Sequence, residues 1–326
     1  MIANPVAGGQ PVARVAELLD HLVPSLQLET VWTTDRSEAV EVVVAAVAAW
    51  RQGSPLAAVI AVGGDGTARE VGEGLARGLD RWPAGLRPER TGEPDSPPAL
   101  LVVPAGTGNS VHRSLWADRP WTEVLADVLG SPPVPGTARI RHLDLGRIVE
   151  ADRAVLLGAS TGFLADVVRM AESMGEVHGR ERYGAASGRA LADMHAYPGR
   201  VVVDDVVLYE GPVTLVALGG ARHRAGTFQL LPRSVLDDGL LDVCVVGEVT
   251  VERFVTLAGL LPEGEHVGQP EVRYGQGRQV VLERTDGQAL AFEHDGDSWA
   301  REDYRLTIDV VPGAVPAFAP FEAVAG

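Results

Sequence analysis

The sequence contains no lysine; all 28 of its lysine-plus-arginine side chains are arginine. A Walker A phosphate loop and Schiff-base chemistry both need a lysine, so both are excluded. Cysteine is nearly absent as well. The single Cys244 excludes a disulfide scaffold and any multi-cysteine zinc site, and fits a reducing compartment. Long hydrophobic runs are also missing. The longest, Ala39 to Trp50, is broken by Glu41 and is too short to span a bilayer. No charged segment followed by an apolar stretch opens the chain, so no signal peptide is expected. Positive charge is scarce: 28 basic against 44 acidic residues give a net charge of −16. Such a surface repels nucleic acid and anionic membranes over long range, so nucleic acid is not an expected partner and any membrane contact needs a local basic patch. What remains is 326 residues with 46% hydrophobic and 22% charged side chains, the composition of a globular protein of two domains.

The first 140 residues alternate between short strands and helices. A strand end at Met1–Ala3 leads into Asn4-Pro5-Val6-Ala7-Gly8-Gly9, and Pro11 to Val23 has the apolar spacing of a helix. Only two residues precede Ala3, so the first strand either starts upstream or is an edge fragment. Leu28–Thr33 reads as a strand. Asp35-Arg36-Ser37-Glu38 has the spacing of a capping box, opening a helix that runs to about Gln52. The continuous apolar runs Leu56–Val62 and Ala99–Val103 suit strands buried on both faces of a parallel sheet. This order predicts a doubly wound α/β N-terminal domain. Arg81–Pro98 reads as a surface loop and Ser131–Gly136 as a Pro-rich break. Beyond it, strand-like runs appear at Ile140–Val149, Arg153–Ala159, Val201–Tyr209, Val213–Leu218, Leu240–Val246, Arg278–Glu283 and Ala289–Glu293. Helices are expected at Phe163–Met174, Tyr183–His195 and Thr250–Leu261. Short turns join many of these runs, so the C-terminal domain is expected to be a mainly antiparallel, β-sandwich-like fold with helices. The expected domains are 1–138, rejoined by about 307–326, and 139–306.

Three glycine-rich corners carry chemistry. Gly63-Gly64-Asp65-Gly66-Thr67 stands between a buried strand and the helix Ala68–Leu79. Its glycines let the backbone approach a ligand, and the helix N-terminus offers N–H groups to a phosphate. Asp65 repels phosphate but can hold a magnesium ion that bridges phosphates. Pro104-Ala105-Gly106-Thr107-Gly108-Asn109 has the same strand-to-helix setting, and the Asn4–Gly9 corner is the third. Each alone is more simply a turn. Together, at the carboxyl ends of parallel strands, they favour a nucleotide site.

The trio resembles the catalytic domain of the diacylglycerol kinase, sphingosine kinase and bacterial lipid kinase superfamily. Asp237-Asp238-Gly239-Leu240-Leu241-Asp242-Val243, with Pro232 upstream, is similar to that family's Asp-Gly-x-Leu-Asp segment. Asp295-Gly296-Asp297 sits where the family carries Asp-Gly-Glu, and Leu306–Pro320 resembles its terminal strand. The resemblance implies that Asn4, Gly63, Gly64, Gly66, Thr67, Gly106, Thr107 and Asn109 shape an ATP pocket, and that Asp65 acts on the phosphates through Mg2+. It implies a structural magnesium on Asp238, aided by the carbonyls of Val235 and Leu240. Asp297 falls at the general-base position, with Asp144 as its carboxylate partner. Phosphoryl transfer needs charge neutralisation, alignment and a proton acceptor, and these roles meet all three needs.

The chain departs from the pattern in four places. The usual Glu base is Asp297, shorter by one methylene, which moves the carboxylate by roughly 1.5 Å, where about 1 Å can cost on the order of 100-fold in rate. Glu293 is a nearby substitute if the turn keeps register. Arg69 replaces the usual Asn and either faces nucleotide phosphates or pairs with Glu73. Ser110 and His112 replace the usual Asp and a small residue. Two arginine clusters, Arg180-Glu181-Arg182 with His178 and Arg189, and Arg222-His223-Arg224, read as solvated surface or as a basic lip for headgroups. Phe163, Met170 and Met174 read as core or as an acyl pocket. The expected protein is an ATP- and Mg2+-dependent kinase of a lipid or lipid-like alcohol. Its expected location is the cytoplasm, with peripheral contact at the inner face of the cell membrane, and a homodimer is compatible with the reading. The alternatives are a soluble kinase of the NAD kinase type and a catalytically weak binding or regulatory member of the fold.

Overall fold

A computed structural model describes residues 1–5, 28–33, 37–85, 97–129, 138–174, 179–224 and 228–320 of the protein. The expected helix at Pro11–Val23, the glycines of the Asn4 corner, most of the Arg81–Pro98 loop and the Ser131–Gly136 break lie outside these residues. The chain divides into two compact units, Met1–Asp144 with Val311–Gly326, and Leu145–Val310.

The first unit contains β1 (Ile2–Ala3), β2 (Val31–Trp32), α1 (Glu38–Arg51), β3 (Ala58–Gly63), α2 (Asp65–Gly78), β4 (Ala99–Pro104), α3 (Ser110–Trp116) and α4 (Trp121–Leu129), and most of β5 (Ala138–Ile148). Strands β2, β1, β3 and β4 run side by side and parallel, and Ala317 of the terminal strand pairs parallel with Leu100 of β4. β1 is therefore not an edge fragment: it pairs with strands on both sides despite its two residues. Strands β3 and β4 are buried along nearly their whole length, as their unbroken apolar runs require. Asp35 and Arg36 of the expected capping box lie outside the described residues. Helix α1 starts at Glu38, with Ser37 as its N-cap at φ 88° and without a capping bond from the Ser37 side chain. Helices α1 and α2 approach closely because Val43 and Val47 seat against Gly74 and Gly78, where a Cβ would stand 2.7 and 2.8 Å from the valine Cβ atoms.

The second unit contains β6 (Arg153–Val155), β7 (Ala159–Gly162), α5 (Phe163–Ser173), α6 (Gly179–Ala192), β8 (Tyr197–Val203), β9 (Val206–Gly219), β10 (His223–Arg224), β11 (Phe228–Gln229) and β12 (Leu241–Gly247). It continues through α7 (Val251–Gly259), β13 (Val272–Gly277), β14 (Gln279–Arg284), β15 (Phe292–His294), β16 (Asp297–Ser298) and the first part of β17 (Arg305–Pro320). The strands are antiparallel and order as β16-β15-β7-β9-β8-β14-β17. The second half of β9 also pairs with β12, which continues to β13. The core gathers the inward valines and leucines of these strands, among them Val201, Val216, Leu218, Val243, Leu282 and Ile308.

The expected single strand Val201–Tyr209 is in fact the hairpin β8–β9. Asp204 and Asp205 adopt φ of 46° and 66°, and the Asp204 carboxylate accepts the N–H groups of Arg278 and Gln279 at 2.9 Å. An aspartate pair in an apolar run conceals a left-handed turn that asparagine-glycine would have announced. Strand β13 has no apolar alternation and was not expected. It exists because Val272–Gly277 completes a ladder with β12.

Candidate functional site

Two glycine corners, with Asn4 beside them, lie at one edge of the first unit's sheet. Ala3 pairs with Val62 and Gly63 pairs with Pro104, so the segments beginning at Asn4, Gly64 and Ala105 leave adjacent parallel strands at their carboxyl ends. The Asn4 N–H donates to the Val62 carbonyl at 3.1 Å, and the Ala105 and Gly106 N–H groups converge on the Gly63 carbonyl at 2.8 and 3.1 Å. A Cβ on Gly106 would stand 2.3 Å from the Gly64 Cα, and one on Gly108 would stand 2.9 Å from Asp65 Oδ2. The two loops touch backbone to backbone, and only hydrogen fits at these positions.

Asn109 closes the second loop. It sits at φ 54°, its Oδ1 accepts from the Gly106 N–H and its Nδ2 donates to the Gly106 carbonyl, both at 2.9 Å. Asp65 begins α2 and accepts from the Val111 N–H at 2.9 Å. No side chain caps the first turn of α2. This leaves a partly exposed carboxylate, a helix N-terminus and glycine backbone at one place, a setting that suits a magnesium-bound polyphosphate.

Arg69 is 6% exposed and pairs with Glu70 at 3.4 Å, while Glu73 pairs with Arg77 at 2.8 Å instead. The arginine lies on the buried side of α2, among Ala68 and Val71. Ser110 and His112 are buried too; His112 faces the Val102 and Arg119 carbonyls at 3.3 and 3.0 Å.

Asp144 is buried at the end of the first unit, and its Oδ1 accepts from the Gly313 N–H at 2.7 Å. Beside it lies a residue that sequence reasoning placed on the surface. Arg81 is 2% exposed and reaches His142 Nδ1 at 3.0 Å and the Gly313 carbonyl at 3.5 Å. A buried arginine in a Pro- and Gly-rich run has no sequence signal of its own, because its partners lie 61 and 232 residues away.

In the second unit, Asp295-Gly296 forms the two-residue turn of the β15–β16 hairpin, with φ of 49° and 85°. The Asp295 carboxylate accepts the N–H groups of Leu156, Leu157 and Gly158 at 2.9, 2.7 and 3.2 Å. Asp297 follows, half-buried, paired with His294. Glu293 pairs with Ser298 instead, so it lies on the opposite face of the hairpin from Asp297. Glu293 is fully buried and accepts from Ser160 Oγ, from Arg224 at 2.5 Å and from the Gly296 N–H at 3.1 Å. It is thus no substitute for Asp297.

Asp238 is exposed, and its Oδ1 accepts from the Leu240 N–H at 3.0 Å; Val235 lies three residues before it. One carboxylate with two carbonyls fits a cation that keeps several waters. Among the described residues, no three His, Cys, Asp or Glu side chains cluster as a metal site. Nearby Asp242 is fully buried and accepts from Tyr274 at 2.6 Å and Gln276 at 3.1 Å. Burial pushes its carboxyl above the usual range, and burial beside Asp242 pushes the Tyr274 hydroxyl up as well.

In the second arginine cluster two side chains are tied within the fold. Arg222 donates to the Ser234 carbonyl at 2.9 Å and Arg224 is held by Glu293. His178 and the Arg180 side chain lie outside the described residues. Met170, Met174 and Phe163 pack against the buried faces of α5 and α6 as core. Among the described residues, no helix is long and apolar enough to cross a membrane.

Comparison with known proteins follows the same division. The diacylglycerol kinase catalytic domain matches residues 1–133, and the YegS C-terminal NAD kinase beta sandwich-like domain matches residues 158–319. The chain is 29% identical over 272 residues to the "Probable lipid kinase YegS-like" of Pseudomonas aeruginosa, covering 81% of this chain and 77% of that protein. It is 27% identical over 225 residues to a diacylglycerol kinase of Staphylococcus epidermidis, covering 69% of this chain and 63% of that protein. The fold matches the crystal structure of a diacylglycerol kinase from Bacillus anthracis with a TM-score of 0.61 at 17% identity, over 97% of this chain and 94% of that one.

Proposed function

Because the chain belongs to the lipid and diacylglycerol kinase family, we propose that it transfers the γ-phosphoryl group of ATP to a hydroxyl of a lipid or lipid-like alcohol. The single observation that carries this reading is the backbone contact of Gly106 with Gly64 at the carboxyl edge of β3 and β4. There Gly63, Gly64, Gly66, Thr67, Gly106, Thr107 and Asn109, with Asn4 alongside, would receive the nucleotide. The α2 N-terminus would lend its N–H groups to the phosphates. Asp65 would hold the Mg2+ ion, which supplies neutralisation of phosphate charge. Arg69, buried on α2, would act through the shape of that helix start rather than by touching phosphate.

Asp297 would accept the proton of the attacking hydroxyl, and Asp144 would be its carboxylate partner. Asp238, with the Val235 and Leu240 carbonyls, would hold a structural magnesium. The acceptor is a lipid alcohol on the strength of the relatives' names, which speak of lipid and diacylglycerol kinases. Such an acceptor implies work at a membrane surface, with the protein on its cytoplasmic side.

A second reading has one observation in its favour: the matched C-terminal domain is described as NAD kinase beta sandwich-like. One experiment separates the two. Purified protein is given radiolabelled ATP, Mg2+ and, in separate reactions, diacylglycerol, a sphingoid base, a polyprenol and NAD. Label in a lipid supports the proposal, label in NAD supports the second reading, and label in neither overturns both.

A further inference from the structure

Glu293 is the most deeply buried acid of the second unit to meet a full positive charge. It is 0% exposed, and its Oε1 takes both the Ser160 hydroxyl and the Arg224 guanidinium. The other oxygen does something different. Oε2 accepts the N–H of Gly296, the second residue of the turn that delivers Asp297. On the far side of the same turn, Asp295 is tied to three consecutive backbone N–H groups, of Leu156, Leu157 and Gly158. The turn is therefore gripped from both sides by buried carboxylates, and Arg224, 13% exposed at its side chain, neutralises one of them.

A stability role alone does not account for this arrangement. A buried ion pair contributes little net stability compared with apolar residues of the same shape, because both charges lose their hydration. What it supplies is a fixed acceptor at a fixed place. The hairpin needs one, because Asp297 is a short side chain whose carboxylate follows the backbone closely.

We propose that Glu293 is a positioning residue for phosphoryl transfer: through Oε2 and the Gly296 N–H it fixes the turn that presents Asp297, with Arg224 and Ser160 fixing Glu293 in turn. The inference rests on the reading of Asp297 as the general base. In Glu293→Gln the amide group that replaces one oxygen cannot serve both Arg224 and Gly296, so one of the two bonds is lost while size is kept. A displacement of about 1 Å at the reacting group can cost on the order of 100-fold.

The test is a double-mutant cycle on kcat and KM in the lipid kinase assay, with Glu293→Gln and Asp297→Asn made singly and together. Arg224→Met/Glu293→Gln is added because it leaves no uncompensated buried charge if the single variant folds poorly. The expected result is a fall in kcat of about 10- to 100-fold in both Glu293 variants, with KM for ATP within about twofold. In the Asp297→Asn background the same change has no further effect, since there is no base left to position. Undiminished kcat in both Glu293 variants overturns the inference. A fall that recurs in full in the Asp297→Asn background also overturns it, because that is general loss of structure. A wild-type rate in Asp297→Asn overturns the base assignment itself and the inference with it.

Discussion

The N–H of Val111 donates to the Asp65 carboxylate at 2.9 Å, which ties the corner after β3 to the helix after β4. Asp65 thereby has one oxygen fixed by the protein and stands at the start of α2 with its carboxylate partly exposed. In the proposed function this carboxylate also orients a cation, which yields the first expectation. Asp65→Ala should lower phosphoryl transfer by at least about 100-fold, the range for loss of a transition-state electrostatic group. Loss of the Val111 bond should itself cost about 0.5–2 kcal/mol of stability, so turnover is compared on protein shown to be folded. Turnover at the wild-type level would remove Asp65 from the mechanism.

Gly106→Ala tests the contact between the two loops. The added methyl would meet the Gly64 Cα at 2.3 Å, so one loop must move. Overpacking of this kind costs about 1–3 kcal/mol, and the displaced backbone should weaken ATP binding by at least tenfold. Gly188→Ala, on α6, is the control, because a Cβ there meets nothing within 4 Å. Equal ATP affinities in the two variants would contradict a cradle built on the Gly64–Gly106 approach.

Asp297→Glu restores the longer acid of the family pattern. Asp297 is half-buried beside His294 and next to Ser298, which bonds Glu172. The hairpin turn is fixed at Asp295 and Gly296, so the extra methylene cannot be absorbed by the backbone. The expected outcome is a fall in kcat of roughly tenfold, because about 1 Å of misplacement is costly. A rise would mean that the short side chain limits the natural rate.

His266 gives a pH dependence independent of catalysis. It is 2% exposed, its Nε2 donates to the Leu230 carbonyl at 3.2 Å, and burial lowers its pKa below the usual 6.5. A proton therefore binds the unfolded chain more tightly. The stability linked to neutral His266 is fully present above about pH 6.5 and is lost as pH falls below it. Urea midpoints between pH 7.5 and 5.5 should drop more steeply in the wild type than in His266→Gln. Identical slopes would contradict a buried neutral imidazole.

The sequence made the first unit legible because its signals are local. Val59–Val62 and Leu100–Val103 are unbroken apolar strands, and each runs straight into a glycine corner whose spacing is its own evidence. The antiparallel fold of the second unit was also legible, through its short strands and turns. The hairpin at Asp204-Asp205 was not, since its aspartates take a conformation more common for Asn-Gly and Asp204 is held by Arg278 and Gln279, more than 70 residues away. The buried roles of Arg81 and Glu293 escaped for the same reason. Arg81 reads as loop surface and Glu293 as a substitute for Asp297 until partners from distant parts of the chain, Gly313 for one and Ser160 with Arg224 for the other, are brought alongside. Arg69 was read as facing phosphate or Glu73 because helical spacing allows both, whereas packing of α2 turned it inward.

The account stands on the glycine corners as a polyphosphate cradle. Titration calorimetry of the whole chain with ATP, in the presence and absence of Mg2+, tests that most directly. The account predicts one nucleotide per chain, tightened by Mg2+ and weakened at least tenfold in Gly106→Ala. No heat of binding from folded protein with ATP and Mg2+ together would contradict it.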